Sequence, residues 1–303
     1  MIPLVLVTGF LGSGKTTFLR HLSKRNDGKR LAFLVNDFAA ADIDAQALTD
    51  LDGEMISIPG GSVFCRCLAT TFTNALTKIA GSADGVIIEA SGMADPRALA
   101  DLLRETRLDE IYTLSAVVAL ADPGTLRKLL KTLPAVKAQI QTADILLLNK
   151  TDLFDEEPIA RTEAAVRDVR RDIEIVRCVR GDVDIQFFRG ESHAMAFHSS
   201  PAKCRDDSFL SATHRFRAQC DIGAVVETLD GYAKILWRAK GFVPTAQGLM
   251  ELQWVMRADS TDCGAVDIRP ATSREARPAL VVIAKGNAQE QLDALVRSLL
   301  LLK

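Results

Sequence analysis

One octapeptide limits what this chain can fold into more than any other feature. Gly9-Phe10-Leu11-Gly12-Ser13-Gly14-Lys15-Thr16 obeys the spacing G-x-x-x-x-G-K-[ST]. Ahead of it runs Ile2-Pro3-Leu4-Val5-Leu6-Val7, a short apolar stretch that predicts a strand buried in a parallel sheet. Behind it, Thr17-Phe18-Leu19-Arg20-His21-Leu22 carries apolar residues at helical spacing. Strand, glycine loop and helix in that order are the context a phosphate-binding loop requires. The glycines let successive backbone N–H groups turn inward on an oxyanion, and the helix N-terminus adds its dipole. The expected phosphate contacts are Gly12, Ser13, Gly14, Lys15, Thr16 and Thr17. Lys15 reaches the β/γ-phosphates, and the Thr16 hydroxyl is placed to ligate Mg²⁺.

A second motif speaks to the base. Asp144-Ile145-Leu146-Leu147-Leu148 predicts another buried strand, and Asn149-Lys150-Thr151-Asp152 follows it as N-K-x-D. The Asp152 carboxylate can accept from both the N1–H and the 2-amino group of guanine. Adenine lacks both donors in that arrangement and would leave the carboxylate unpaired. Asn149 can brace the loop, and the Lys150 stem can lie along the purine face.

Between these motifs, Gly85-Val86-Ile87-Ile88 predicts a strand that ends in Glu89-Ala90-Ser91-Gly92-Met93-Ala94-Asp95-Pro96. An acid at the carboxyl end of such a strand is where a phosphate-loop enzyme holds Mg²⁺ or its water shell. The whole string resembles the E-x-[ST]-G-x-A-D-P signature of the CobW-like GTPases, relatives of the GTPases that insert nickel into urease and hydrogenase. Asn36-Asp37-Phe38 followed by Ile43-Asp44 resembles that family's N-E-F-G-E-x-G-I-D switch segment. Gln139-Ile140-Gln141-Thr142-Ala143-Asp144 is similar to its lead-in to the guanine motif, and Trp237-Arg238-Ala239-Lys240-Gly241-Phe242 to the opening of its second domain. The resemblance implies a GTPase bound to GTP or GDP with Mg²⁺, in which a metal ion is handed to a client protein. In such an enzyme Asp37 or Glu89 positions the attacking water or the Mg²⁺ shell.

The chain departs from the family at its metal motif. Relatives carry C-x-C-C after a Gly-Gly or Asn-Gly pair. Here Gly60-Gly61 is followed by Ser62-Val63-Phe64-Cys65-Arg66-Cys67. Ser62 and Phe64 replace the first two cysteines, Cys65 matches the third, and Cys67 supplies another thiol. In extended chain, residues two apart point the same way, so Cys65 and Cys67 can share one ion. Two thiolates do not complete a tetrahedral zinc site. Asp37, standing where the family has Glu, is a candidate further ligand, while Ala39 and Ala40 replace the family's Gly-Glu pair. Such a donor set suits Zn²⁺ and tolerates Co²⁺ or Ni²⁺. The other reading of Cys65 and Cys67 is two small, partly buried thiols without a metal.

Composition fits a two-domain cytoplasmic enzyme: 303 residues, 48% of them hydrophobic, suffice for a sizeable core. A formal net charge of −2 gives no drive toward nucleic acid or an anionic membrane. The apolar Met1–Val7 stretch lacks a basic flank and a cleavage site, so it is expected as a strand and not a signal peptide. No apolar run reaches the length of a membrane span. Six cysteines in so long a chain are no disulfide framework, and Cys178, Cys204, Cys220 and Cys263 are scattered. Of the four histidines, His193 and His198 are expected in solvent and His21 as a surface or packing residue of the first helix.

Strand-like runs at 2–8, 31–36, 54–58, 85–89, 114–120, 144–149 and 173–178 alternate with helical stretches at 15–25, 69–80, 96–105, 123–131, 134–141 and 157–170. This predicts an α/β fold, a doubly wound and mostly parallel sheet over residues 1–188. Residues 189–207 lose periodicity and are expected as a linker, followed by a smaller α+β domain over 208–303. There, helix 221–233 is expected to lead into strands at 235–240, 249–256, 263–268 and 279–284 and a helix at 288–301. Three functions are compatible with these motifs. The first is a GTPase coupled to metal delivery. The second is a metal-free, GTP-switched module that recruits a partner enzyme through its C-terminal domain. The third is a small-molecule kinase, against which Asn149–Asp152 argues.

Overall fold

A computed structural model describes residues 1–26, 28–37, 53–59, 68–92, 94–188, 209–257, 260, 262–271 and 276–302, with backbone alone at Asp37 and Pro59. The expected linker and the cysteine segment 60–67 lie outside the described residues. The chain divides into two compact units, the second of which contains the described residues from Phe209 onward.

The first unit is built on a sheet of seven described strands. These are β1 (Ile2–Thr8), β2 (Leu31–Asp37), β3 (Glu54–Pro59), β4 (Gly85–Glu89), β5 (Tyr112–Ala121), β6 (Ile145–Leu148) and β7 (Glu174–Arg177). Their order is β3-β2-β4-β1-β5-β6-β7, and every pairing is parallel. The sequence predicts a mostly parallel sheet, and among the described strands it is wholly parallel. The interconnecting helices are α1 (Lys15–Arg25), α2 (Ala69–Ile79), α3 (Ala98–Glu105), α4 (Leu126–Thr132), α5 (Pro134–Thr142) and α6 (Glu156–Val169). Helices covering both faces explain why Val86–Ile88 of β4 and all of β6 are apolar without alternation, and why both strands are buried at every position. On α2 the fully buried Phe72, Leu76 and Ile79 follow helical spacing. Each such side chain stabilises the fold by about 1.5–3 kcal/mol through burial. The Tyr112 hydroxyl, at the start of β5, donates to the Leu76 carbonyl at 2.7 Å, and burial pushes its pKa up to about 12.

All seven strands point their carboxyl ends to one edge, and the chain changes direction at β1, with β4 on one side and β5 on the other. In such sheets, ligands bind at that switch point.

The second unit is an antiparallel sheet of five described strands in the order β11-β10-β9-β12-β8. They are β8 (Phe209–Arg215), β9 (Leu236–Thr245), β10 (Gly248–Met256), β11 (Gly264–Pro270) and β12 (Ala279–Lys285). Two helices, α7 (Ile222–Gly231) and α8 (Gln289–Leu300), add Val225, Leu229, Leu292, Leu295 and Leu299 to its core. Asp230 of α7 accepts from the Trp254 indole at 2.7 Å and from Gly264 N at 2.9 Å, tying that helix to β10 and β11. Elsewhere the sheet buries an ionic cluster. Glu251 is 3% exposed and lies 3.7 Å from the Lys240 ammonium, 2.9 Å from Arg269 Nε and 3.0 Å from Gln253 Nε2. None of the described helices is long and apolar enough to cross a membrane.

Candidate functional site

The phosphate loop leaves β1 and enters α1 without an intervening residue after Gly14. Gly14 has φ 106° and ψ 17°, a left-handed conformation. A Cβ there would also lie 2.2 Å from Asn149 Nδ2, so glycine is required on both counts. The Lys15 side chain, 6% exposed, arches back over the loop, and its ammonium donates to the carbonyls of Gly9 at 2.8 Å and Phe10 at 3.3 Å. A buried ammonium needs such acceptors to be tolerated. Ser13 N donates to Phe10 O at 3.2 Å, tightening the turn, while Thr16 and Thr17 are half-buried in the first helical turn.

Asn149 joins this loop to the guanine motif. It follows β6, is 1% exposed, and donates through Nδ2 to the Ser13 carbonyl at 2.9 Å. Its Oδ1 accepts from Gly181 N at 2.9 Å and from the Cys178 thiol at 3.7 Å. Thr151 donates to the Cys178 carbonyl from its amide at 3.3 Å and its hydroxyl at 3.1 Å. The segments after β6 and β7 are thus fastened to each other and to the phosphate loop. Lys150 and Arg180, next to Asn149 and Gly181, both have left-handed φ, 60° and 54°. Such non-glycine strain costs about 1–3 kcal/mol and persists where surroundings over-determine it. Asp152 is exposed in the short turn Thr151–Leu153. Burial pushes the Cys178 thiol up to about 11, so it stays protonated near neutrality. Further along, Asp182 accepts from Arg25 at 2.5 Å with His21 at 3.9 Å, and the Arg25 hydrogen bond holds its carboxyl below the usual range.

On the other side of β1, Glu89 ends β4 and is 3% exposed, in register with Val7. The chain after it is pressed on the phosphate loop: a Cβ at Gly92 would lie 2.8 Å from Leu11 N. Gln139 of α5, 1% exposed, donates to the carbonyls of Gly92 and Ala94, both at 3.2 Å. In the sequence Gln139 stands only within the lead-in to the guanine motif; the signal for its role is an amide among buried positions of a helix. Three buried hydroxyls near this edge, Thr8, Ser13 and Ser91, have no hydrogen-bond partner among the described residues. Buried hydroxyls without protein partners suit a polar ligand such as a phosphate or a hydrated cation. With the Thr16 hydroxyl and the Glu89 carboxylate, they make a hard-oxygen donor set that fits Mg²⁺.

Cys65, Cys67 and the Asp37 side chain lie outside the described residues. Among the described residues no group of three or more His, Cys, Asp or Glu is arranged to hold a metal. Cys178, Cys220 and Cys263 are free thiols.

Residues 3–177 match the family model described as CobW/HypB/UreG, nucleotide-binding domain. The chain is 26% identical over 231 residues to the zinc chaperone CobW of Pseudomonas aeruginosa, covering 65% of this chain and 62% of that protein. It is 30% identical over 193 residues to the zinc-regulated GTPase metalloprotein activator 1 of Schizosaccharomyces pombe, covering 60% of this chain and 47% of that protein. It therefore spans less than two thirds of either. Identity to the zinc chaperone YjiA of Escherichia coli is 27% over 241 residues, covering 76% of this chain and 72% of that protein. The crystal structure of Zn(II)-bound YjiA GTPase from E. coli aligns over 98% of each chain, at 22% identity and a TM-score of 0.48. With more than half its length matched, and the phosphate loop, the acid of β4 and the Asn149 motif all inside the match, this chain belongs to the CobW/HypB/UreG family.

Proposed function

We propose that the protein binds GTP, hydrolyses it to GDP and phosphate, and couples its nucleotide state to delivery of a divalent metal ion, zinc first among candidates, to a client protein. The observation that carries the nucleotide half is the Asn149 bond to the Ser13 carbonyl, which ties the glycine-rich loop to the N-K-x-D segment. Gly12, Ser13, Gly14, Thr16 and Thr17 would cradle the phosphates, and Asp152 would read guanine. Lys15 would stabilise charge developing on the β/γ-phosphates in a buried setting, where that stabilisation is large. Asp37 or Glu89 would position the attacking water. Thr16 and Glu89 would hold Mg²⁺, which neutralises phosphate charge when bound.

The metal half is supported by the names of the zinc-chaperone relatives and by the pair Cys65 and Cys67. These thiols need a reducing compartment, which favours the cytoplasm. GTP would order the metal site and GDP release it, and linkage then requires metal to tighten GTP. Ser62 and Phe64 in place of cysteines favour a second reading, the metal-free switch that recruits a partner.

Co²⁺ titration of the reduced full chain separates the two. Thiolate-bound tetrahedral cobalt absorbs strongly, and that band is expected with Mg-GTP, weaker with Mg-GDP, and absent from the Cys65→Ser/Cys67→Ser double variant. No band with Mg-GTP, or a band that survives the double substitution, discards metal delivery in favour of the metal-free switch.

A further inference from the structure

One side chain joins three strand ends. Asn36 is the penultimate residue of β2 and 3% exposed, after the wholly apolar run Leu31–Val35. Its Nδ2 donates to the Ile58 carbonyl of β3 at 2.9 Å, and its Oδ1 accepts from Ser91 N at 3.4 Å, two residues beyond Glu89. Asn36 and Ile58 are register partners, whereas the β2–β4 ladder stops at Val35 and Glu89. The amide therefore continues, by side chain, a ladder that the backbone has ended. An uncharged amide offers a donor and an acceptor on one rigid plane, which this position uses in both directions.

The two arms are unequal. The bond to Ile58 has ordinary length, and the bond from Ser91 sits at the long limit, where a few tenths of an ångström decide whether it exists. Ser91 precedes Gly92, which is pressed against Leu11 of the phosphate loop. A shift of that segment on nucleotide binding would change the long arm first. The short arm would then carry the change to Ile58, one residue before β3 ends and the sequence continues to Gly60-Gly61 and Cys65.

We propose that Asn36 is a positioning residue that transmits the nucleotide-dependent arrangement of Ser91–Gly92 to the carboxyl end of β3. The inference rests on the GTP reading above for its trigger. It does not require a bound metal.

Hydrogen exchange on the full chain tests it, comparing Mg²⁺ with a non-hydrolysable GTP analogue against Mg-GDP. In the wild-type chain, peptides covering 54–59 and 85–92 are both expected to change protection with nucleotide. In Asn36→Ala, 85–92 should still respond, while the response of 54–59 falls by roughly fivefold or more, the low end of typical coupling. Asn36→Asp keeps the acceptor for Ser91 N and loses the donor to Ile58, so it should lose the same response and guards against a folding defect in the alanine variant. An unaltered response of 54–59 in Asn36→Ala overturns the proposal. So does a wild-type chain whose 85–92 segment responds while 54–59 does not. A chain that binds no GTP fails the functional reading itself and the inference with it; one that binds GTP but leaves β3 indifferent fails the inference alone.

Discussion

Asn149→Ala should weaken both the fold and the nucleotide site. The side chain satisfies the Ser13 carbonyl and the Gly181 amide, each at 2.9 Å, from a position 1% exposed. Neither freed group reaches water without rearrangement. A buried donor or acceptor left unsatisfied costs about 1–3 kcal/mol, so two cost about 2–6 kcal/mol before relaxation. The segment at Arg180 and Gly181 already sits at positive φ and can open once released, which favours the lower part, about 2–4 kcal/mol. That is a large share of the roughly 5–15 kcal/mol of a typical domain. Urea unfolding, followed with and without Mg-GTP, reads both effects. The midpoint should fall with its slope unchanged, and the rise in midpoint given by GTP should shrink as affinity drops. Asn149→Asp should behave almost as badly. It keeps the acceptor for Gly181 but sets a carboxylate against the Ser13 carbonyl. A loss below about 0.5 kcal/mol in Asn149→Ala, the level of an ordinary surface change, with GTP affinity intact, would refute the reasoning.

Lys15→Ala is expected to abolish GTP turnover and weaken triphosphate binding, whereas the exposed Lys131→Ala should do neither; hydrolysis at the original rate would show that the loop is not catalytic. Asp152→Asn should move base preference from guanine toward xanthine nucleotides, measured by competition binding, and equal binding of ATP and GTP by the unmodified chain would sink the guanine assignment. In the second unit, burial pushes the Glu251 carboxyl up, but the Arg269 hydrogen bond, the Lys240 and Arg269 charges and Gln253 outweigh it and hold it low. A carboxyl held low by the fold stabilises it above the unfolded pKa, and that stability is lost as pH falls through the folded value. Glu251→Ala should therefore flatten the acid limb of the second unit's stability profile. It should also cost about 3–5 kcal/mol near neutrality, because removing the carboxylate breaks its buried ion pair with Lys240; an unchanged melting profile would refute both.

What the sequence made legible followed from pattern length. Runs such as Val86–Ile88 and Ile145–Leu148 are apolar at every position, as suits a strand covered on both faces, and they appear within β4 and as β6. Helix α4 begins at Leu126, later than the expected 123, because the Asp122 carboxylate accepts from the Thr125 amide at 3.0 Å and hydroxyl at 2.9 Å, making Asp122–Thr125 a turn. Strand β8 was not expected at all. Its Ser211, Thr213 and Arg215 are exposed, and an edge strand with one polar side carries too little apolar signal. Strand β9 runs past the expected end at 240 to Thr245, through Gly241 and Pro244. Pro244 is tolerated because it lies beside the turn into β10. The site motifs were legible as strings. The contacts between them were not: Asn149 meets Ser13 across 136 residues, and Gln139 meets Gly92 across 47. Local sequence has no period that reports such distances.

The strand order also sets a timetable. β1 is made first, yet it lies fourth across the sheet, and its partners are β4 and β5. At about 5–20 residues per second of synthesis, an apolar strand therefore waits some seconds for residues 85–121 before any neighbour exists. The phosphate loop attached to it waits longer, for Asn149 and then Gly181. Nucleotide cannot template the early steps. It acts by mass action on the finished unit, after the slow, long-range pairings are in place. During that interval Ile2–Val7 is an apolar strand without its sheet partners, exposed to misassembly and dependent on shielding during synthesis.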